Sequence, residues 1–295
     1  MTISFLPGAL ELSAGLLPAL SNELVSAGFA LAAAVCWGGS DFSGGVGAKG
    51  ANAATVVMVA QGTGLLCLLV LVFAAGEPVP SSTALLWGAA AGLGAGIGLV
   101  CFYRALAIGQ MGINAPVAAL VTSGLTVLFG IWHEGMPAPL QIGGFALALV
   151  AIFLMTFSEG TTSGLALAIC GGVGFSVYLI CGKQAAREAV YWPLVIGRAA
   201  SIVTLLVVVI VSGKPWKPLT NRPYMVVAGI LDAIANVLFV YAVRNGRLDV
   251  ATILSGFYPA VTVLCARFIL NERVSRRQTA GIAAALIAVP LIAAH

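Results

Sequence analysis

Apolar and polar positions alternate along this chain on a scale of about twenty residues, far longer than the two or four of a soluble fold. Apolar stretches run roughly over 24–44, 52–75, 83–106, 113–132, 139–157, 162–183, 192–212, 223–243, 249–270 and 277–294, separated by clusters of charge, Pro and Gly. A helix needs about 20 mostly apolar residues to cross a bilayer, so each stretch predicts a membrane span. Barrel strands would show about ten residues of alternating polarity, and the sequence has no such segments. The connectors are short. The longest polar ones are Gly76–Ser82 and Ser212–Arg222, the latter reading SGKPWKPLTNR, and neither has room for a soluble domain.

Composition supports the lipid reading. The chain has 295 residues, 60% hydrophobic and only 8% charged, where soluble domains carry about a quarter charged. Its 36 glycines fit membrane helices that approach closely. In the third span Gly88, Gly92 and Gly96 recur every fourth residue and predict one such packing stripe. Trp87, Trp132, Trp192 and Trp216 fall at or just beyond span ends, where indoles favour the interface, whereas Trp37 lies inside the first span. Residues 1–23 contain no Lys or Arg, and Pro7, Glu11 and Pro18 argue against a full span. They read as an interfacial or loosely ordered segment ahead of the first span.

The net charge is +4 with no basic stripe, so no nucleic-acid partner is expected. The six cysteines sit in or beside apolar runs without a CxxC and read as small buried hydrophobes; with only His133 and His295 present, no metal site or cofactor is expected.

The two halves resemble each other at an offset of 137–138 residues. Phe102 and Gly109 in FYRALAIG match Phe239 and Gly246 in FVYAVRNG; Glu134 and Gly143 match Glu272 and Gly281; Trp37 falls opposite Phe175. This divides the chain into a five-span repeat over 24–159 and a second over 160–295. Five is odd, so the second repeat enters the membrane from the opposite face. The expected fold is therefore an all-α integral membrane protein of ten transmembrane helices, in two inverted five-helix repeats around a central cavity. That is a common architecture of alternating-access transporters, with the substrate held near the midplane.

The same residues carry a family resemblance. AAVCWGGSDFSGG resembles the first-helix signature of the EamA-type repeats of the drug/metabolite transporter superfamily. Those repeats close with a Gly-Glu pair, a short loop ending in Gln and a Gly-containing last helix. Here the pattern reads HEGMPAPLQIGGFALALVAIFLM and again NERVSRRQTAGIAAALIAVPLI, with His133 and Asn271 in place of the usual Gly. The resemblance spans the chain from about residue 24 and is nearest to the YddG-type amino acid exporters. It implies a small-molecule exporter of the bacterial inner membrane that acts on neutral and aromatic amino acids, functional as a monomer, with protons as a candidate coupling ion. It also implies cytoplasmic termini. Charge disagrees: four Lys and Arg (Lys183, Arg187, Arg244, Arg247) fall on the side of the termini and nine on the other. The positive-inside rule would then place the termini outside.

Ionisable groups within spans are costly and point to function by default. Asp41 shares a helix face with Trp37 and reads equally as a cavity wall or a helix-end cap. Arg198 and Asp232 read as a structural ion pair ahead of a substrate or proton site, since a matched pair is far cheaper to bury than a lone charge. Glu134 and Glu272 read as helix-end or loop anchors. The neutral candidates are Trp37, Gln61, Tyr178, Asn236 and Tyr258, the last preceding Pro259 in mid-span. Pro removes a backbone donor and frees a carbonyl nearby. The expected substrate cavity is thus Trp37, Asp41, Gln61, Tyr178, Arg198, Asp232, Asn236 and Tyr258. So few charges suit an amphipathic or zwitterionic cargo. Cationic drugs are the alternative that Asp41 and Asp232 keep open; nucleotide sugars or organic phosphates would want more embedded Lys or Arg than Arg198. No intramembrane histidine or paired carboxylates argue for an enzyme, and a pore would want a polar ring in an oligomer.

Overall fold

In lipid a backbone must satisfy its own polar groups, so each apolar stretch can only become a helix. The computed structural model describes residues 8–48, 53–108, 111–156, 163–212, 222–269 and 276–293. Its elements are α1 (Gly8–Ala48), α2 (Ala53–Ala75), α3 (Ser82–Ile108), α4 (Met111–Glu134), α5 (Pro139–Thr156) and α6 (Leu165–Ala185), followed by α7 (Tyr191–Ser212), α8 (Arg222–Asn245), α9 (Leu248–Ser255), α10 (Tyr258–Ile269) and α11 (Arg276–Ala293). Seven of these are long and apolar enough to cross a membrane, and α5 and α11 contain shorter apolar helices. Helices α9 and α10 are 8 and 12 residues long. Residues 8–23 are helical and continuous with the first span. Trp216, Asn271 and Glu272 lie outside the described residues.

The expected ninth span, 249–270, is thus two helices. Pro259 has no N–H to offer the Ser255 carbonyl, so α9 ends at Ser255. The turn closes on itself: the Gly256 N–H reaches the Thr252 carbonyl at 2.9 Å, and the Ala260 N–H restarts the ladder on Phe257 at 2.9 Å.

The packing reverses the soluble pattern. Small residues face inward, such as Ala27, Ala30, Ala33 and Ala34 of α1 and Ala228, Ala233, Ala235 and Ala242 of α8. Large ones, such as Leu66, Val70 and Phe73 of α2 and Ile210 and Val211 of α7, are exposed. Lipid supplies no hydrophobic drive between helices, so close backbone contact has to hold them. The clearest contact is α3, whose Gly88, Gly92 and Gly96 lie against Pro193, Gly197 and Thr204 of α7. On its other side Gly94 and Gly98 meet Gly174 and Gly171 of α6.

Packing partners follow a regular scheme. Helix α1 packs on α8 and α3 on α6; α3 on α7 and α2 on α8; α4 on α6, and α1 on α9 and α10. A shift by one half, taking α1–α5 to α6, α7, α8, α9–α10 and α11, turns the first member of each pairing into the second. It returns α2–α7, α4–α9 and α5–α11, which also pack together, to themselves.

Candidate functional site

Five predicted site residues converge from four helices: Gln61 on α2, Tyr178 on α6, Arg198 on α7, and Asp232 and Asn236 on α8. The Arg198 guanidinium donates to Gln61 Oε1 from one nitrogen and to Asp232 Oδ2 from the other. Its side chain is 10% exposed and that of Asp232 27%. Asn236 lies one helical turn from Asp232 and donates through Nδ2 to its carbonyl at 2.6 Å and its carboxylate at 3.1 Å. The Tyr178 hydroxyl donates to Asn236 Oδ1. Gln61 uses both ends of its amide, since Nε2 donates to Ser201 Oγ at 2.9 Å. Ser201 sits three residues past Arg198 on the same face of α7; its position there is the signal sequence reading passed over. Gly64 leaves room for the cation, because a Cβ there would stand 3.2 Å from Arg198 Cζ. The network binds the first half of the chain to the second through Gln61. It is neutral as a unit, one guanidinium against one carboxylate, and its remaining capacity is in hydroxyl and amide dipoles.

Trp37, Asp41 and Tyr258 stand on the α1–α10 side. The Trp37 ring lies 5.5 Å from that of Phe239 on α8. Next to it, Gly38 admits α10: a Cβ there would be 2.6 Å from the Tyr258 carbonyl oxygen. That carbonyl accepts Thr262 Oγ1 at 3.2 Å, while Thr262 Oγ1 also reaches the Gly38 carbonyl at 3.1 Å. Asp41 follows Trp37 by one turn and is exposed. It lies within a turn of the end of the apolar span at Gly44, and α1 runs on to Ala48. Its neighbour Ser40 donates to the Ala228 carbonyl at 2.9 Å, which fixes this stretch of α1 beside α8. Asp41 is near enough to Asp232 for their charges to interact.

A second polar layer lies at the membrane face that holds the ends of α2, α4, α6 and α8. Glu134 ends α4 and pairs with Lys183 near the end of α6. Its other carboxylate oxygen accepts the Leu248 N–H at 3.0 Å, at the start of α9. Arg247 donates to the Glu134 and Gly135 carbonyls at 3.2 and 2.7 Å and pairs with the fully buried Asp249 at 2.7 Å. The hydrogen bond to Asp249 holds the Arg247 guanidinium protonated even more firmly than usual. A cavity of about 390 Å³ opens here, lined by Glu23, His133, Glu134, Lys183, Arg187, Gly246 and Arg247. It is distinct from the Arg198 network. On the same face the Glu77 carboxylate accepts the N–H groups of Val190, Tyr191 and Trp192 at 2.6, 2.8 and 3.0 Å. Those donors open α7, where no intrahelical partner exists for them. Glu134 thus acts as a helix-end anchor. Nothing local marks Glu77, whose donors are more than a hundred residues away, or Lys183, whose partner Glu134 ends a different helix.

Residues 162–294 match the EamA-like transporter family. That region holds α6 to α11. The match supports the drug/metabolite transporter superfamily and a multi-pass membrane transporter of small molecules. No curated protein matches the chain. A solved crystal structure superimposes with a TM-score of 0.70 at 17% identity, over 90% of this chain and 95% of that one. At that identity the likeness is one of fold.

Proposed function

We propose that this protein exports small amphipathic metabolites, neutral and aromatic amino acids first, by alternating access between two inverted five-span repeats in a bacterial inner membrane. The observation that carries the reading is the part-buried network of Gln61, Arg198, Asp232, Asn236 and Tyr178, in which one residue of the first half joins four of the second through Arg198. A carrier holds its cargo where its two halves meet. The repeat is supported by the sequence offset and by the exchange of packing partners under a one-half shift. Arg198 is matched by Asp232, which disfavours phosphate-bearing cargo, since an anion would have to displace an existing carboxylate. Trp37 supplies an apolar shelf on the α1 side.

The test is flux in proteoliposomes with a panel of radiolabelled amino acids, with and without a pH gradient. Saturable movement of phenylalanine by the purified monomer is expected, and Trp37→Ala should cut it while leaving membrane insertion intact. A panel without saturable amino-acid flux, or flux linear in concentration as through a pore, would remove the reading.

A further inference from the structure

Helices α3 and α6 come from opposite halves of the chain and meet backbone to backbone. A Cβ on Gly174 would stand 2.7 Å from the Gly94 carbonyl oxygen and from Gly98 Cα, and one on Gly98 would stand 3.1 Å from the Gly171 carbonyl oxygen. A Cβ on Gly171 would lie 3.3 Å from Phe102 Cα, so the two Cα atoms are no more than about 5 Å apart. Rising numbers on α3 meet falling numbers on α6, so the helices run antiparallel. Phe102 and Phe175 meet edge-on across the same contact, ring centroids 5.7 Å apart.

Two cysteines flank this contact. Cys101 immediately precedes Phe102, and Cys170 immediately precedes Gly171. In antiparallel right-handed helices a preceding residue turns out of the contact on the same side, so both thiols leave it together. Both also stay near the seam, since Cys101 is three residues past Gly98 and Cys170 four before Gly174, spacings that share a helix face. The thiols are near enough for their charges to interact. Both are free; Cys170 is exposed and Cys101 half-buried. A disulfide needs Cα atoms about 4.4–6.8 Å apart, and a contact this close offers that separation to the residues beside its centre.

We propose that Cys101 and Cys170 form a redox site, a thiol pair that closes to a disulfide and ties the first half of the chain to the second. Its consequence for transport rests on the alternating-access reading: halves bonded across α3 and α6 cannot complete the cycle. The oxidant is a small disulfide. The Cys170 thiolate, the more accessible of the two, attacks one sulfur of the oxidant and expels the other as a thiolate. The Cys101 thiolate then displaces the remaining oxidant sulfur and closes the new S–S bond. The pair gives up two electrons, the oxidant is reduced to two thiols, and these carry off the two cysteine protons.

The experiment treats the full chain in proteoliposomes with 2,2′-dithiodipyridine, a disulfide apolar enough to enter the membrane. A protease site within residues 157–162 lets the halves be cut apart after oxidation. A non-reducing denaturing gel should then show them still joined, and dithiothreitol should separate them. Cys101→Ala and Cys170→Ala should each abolish the joined band, and a protein lacking Cys36, Cys67, Cys181 and Cys265 should keep it. Halves that separate without reductant when both cysteines are present overturn the site, as does a joined band that survives Cys101→Ala. Phenylalanine flux should be lost on oxidation and return with dithiothreitol, while Cys170→Ala transports before and after the oxidant. A joined protein with undiminished flux overturns the claim that closure stops the cycle. A joined band in a protein that carries no amino acid even when reduced would sink the export reading and leave the redox site standing. Amino-acid flux without a joined band would do the reverse.

Discussion

Gly92 of α3 lies so close to Gly197 of α7 that a Cβ on Gly92 would stand 2.0 Å from the Gly197 carbonyl oxygen. The obstacle is backbone on a facing helix, so no side-chain rotation relieves it. Gly88 meets the Pro193 backbone in the same way, and Gly96 faces the Thr204 side chain. Gly92→Ala should therefore push the two helices apart and cost about 1–3 kcal/mol or more, the range for overpacking a tight interior. Gly62 makes a control, since a Cβ there meets nothing within 4 Å. Thermal unfolding in detergent should separate the two variants by several degrees, and equal melting temperatures would show that the α3–α7 contact is loose.

Glu77 stabilises α7 from outside it. Its carboxylate takes three consecutive N–H groups at the positive end of the helix dipole, and its own carbonyl accepts the Trp192 indole N–H at 3.0 Å. Glu77→Ala leaves those donors without their acceptor and should destabilise the protein by about 1–3 kcal/mol. Glu77→Gln retains one acceptor oxygen and should fall between. A melting temperature unchanged by Glu77→Ala would show that water replaces the carboxylate at no cost.

The apolar helices are legible in the sequence because lipid leaves the backbone no alternative to the helix, and hydropathy places the seven long ones. The Gly88–Gly92–Gly96 stripe is legible for a related reason: helices that gain nothing from burying Leu must meet through small residues. Pro259 announces the break between α9 and α10, although the clean ninth span hid its consequence. The polar network is legible as a set of candidates and not as a geometry. Nothing local says that Gln61 finds Arg198 while Trp37 packs on Phe239. Glu77 looks like an ordinary loop acid, since its value lies in donors more than a hundred residues further on.

The Glu134–Lys183 pair joins the two halves at the face that holds the termini, with Arg247 and the Leu248 N–H gathered on the same residue. Both side chains are about 15% exposed or less. In a carrier this layer must part when that face opens. Glu134→Gln weakens the pair but keeps the hydrogen-bond acceptor for Leu248, so it should favour the open form without unfolding the protein. A latch worth one or two kcal/mol shifts such a population by a factor of about 5–30. A Ser201→Cys reporter, in a background without the six native cysteines, should then react faster with a membrane-impermeant maleimide from the terminal side. Identical labelling rates with Glu and Gln at 134 would mean that the pair is no part of a gate.

Arg198 and Asp232 decide between structure and transport. Removing either one leaves the other half-buried without its counter-charge, which should cost less than the about 3–5 kcal/mol of a fully buried pair because Asp232 keeps some solvent access. Arg198→Ala should be the milder loss if Asn236 Nδ2 continues to satisfy the Asp232 carboxylate, as it does at 3.1 Å. Asp232→Ala leaves the guanidinium with Gln61 as its remaining partner of the two, and should be the more severe. The double variant carries no lone charge and should recover part of the lost stability, a coupling that a double-mutant cycle measures directly. Transport then separates the roles. A double variant that folds and still moves cargo makes the pair a structural tie between α7 and α8, with recognition left to Trp37, Asp41 and the neutral groups. One that folds and is inactive places the pair in the transport path. Two single variants that each melt and transport like the wild-type protein would exclude both roles.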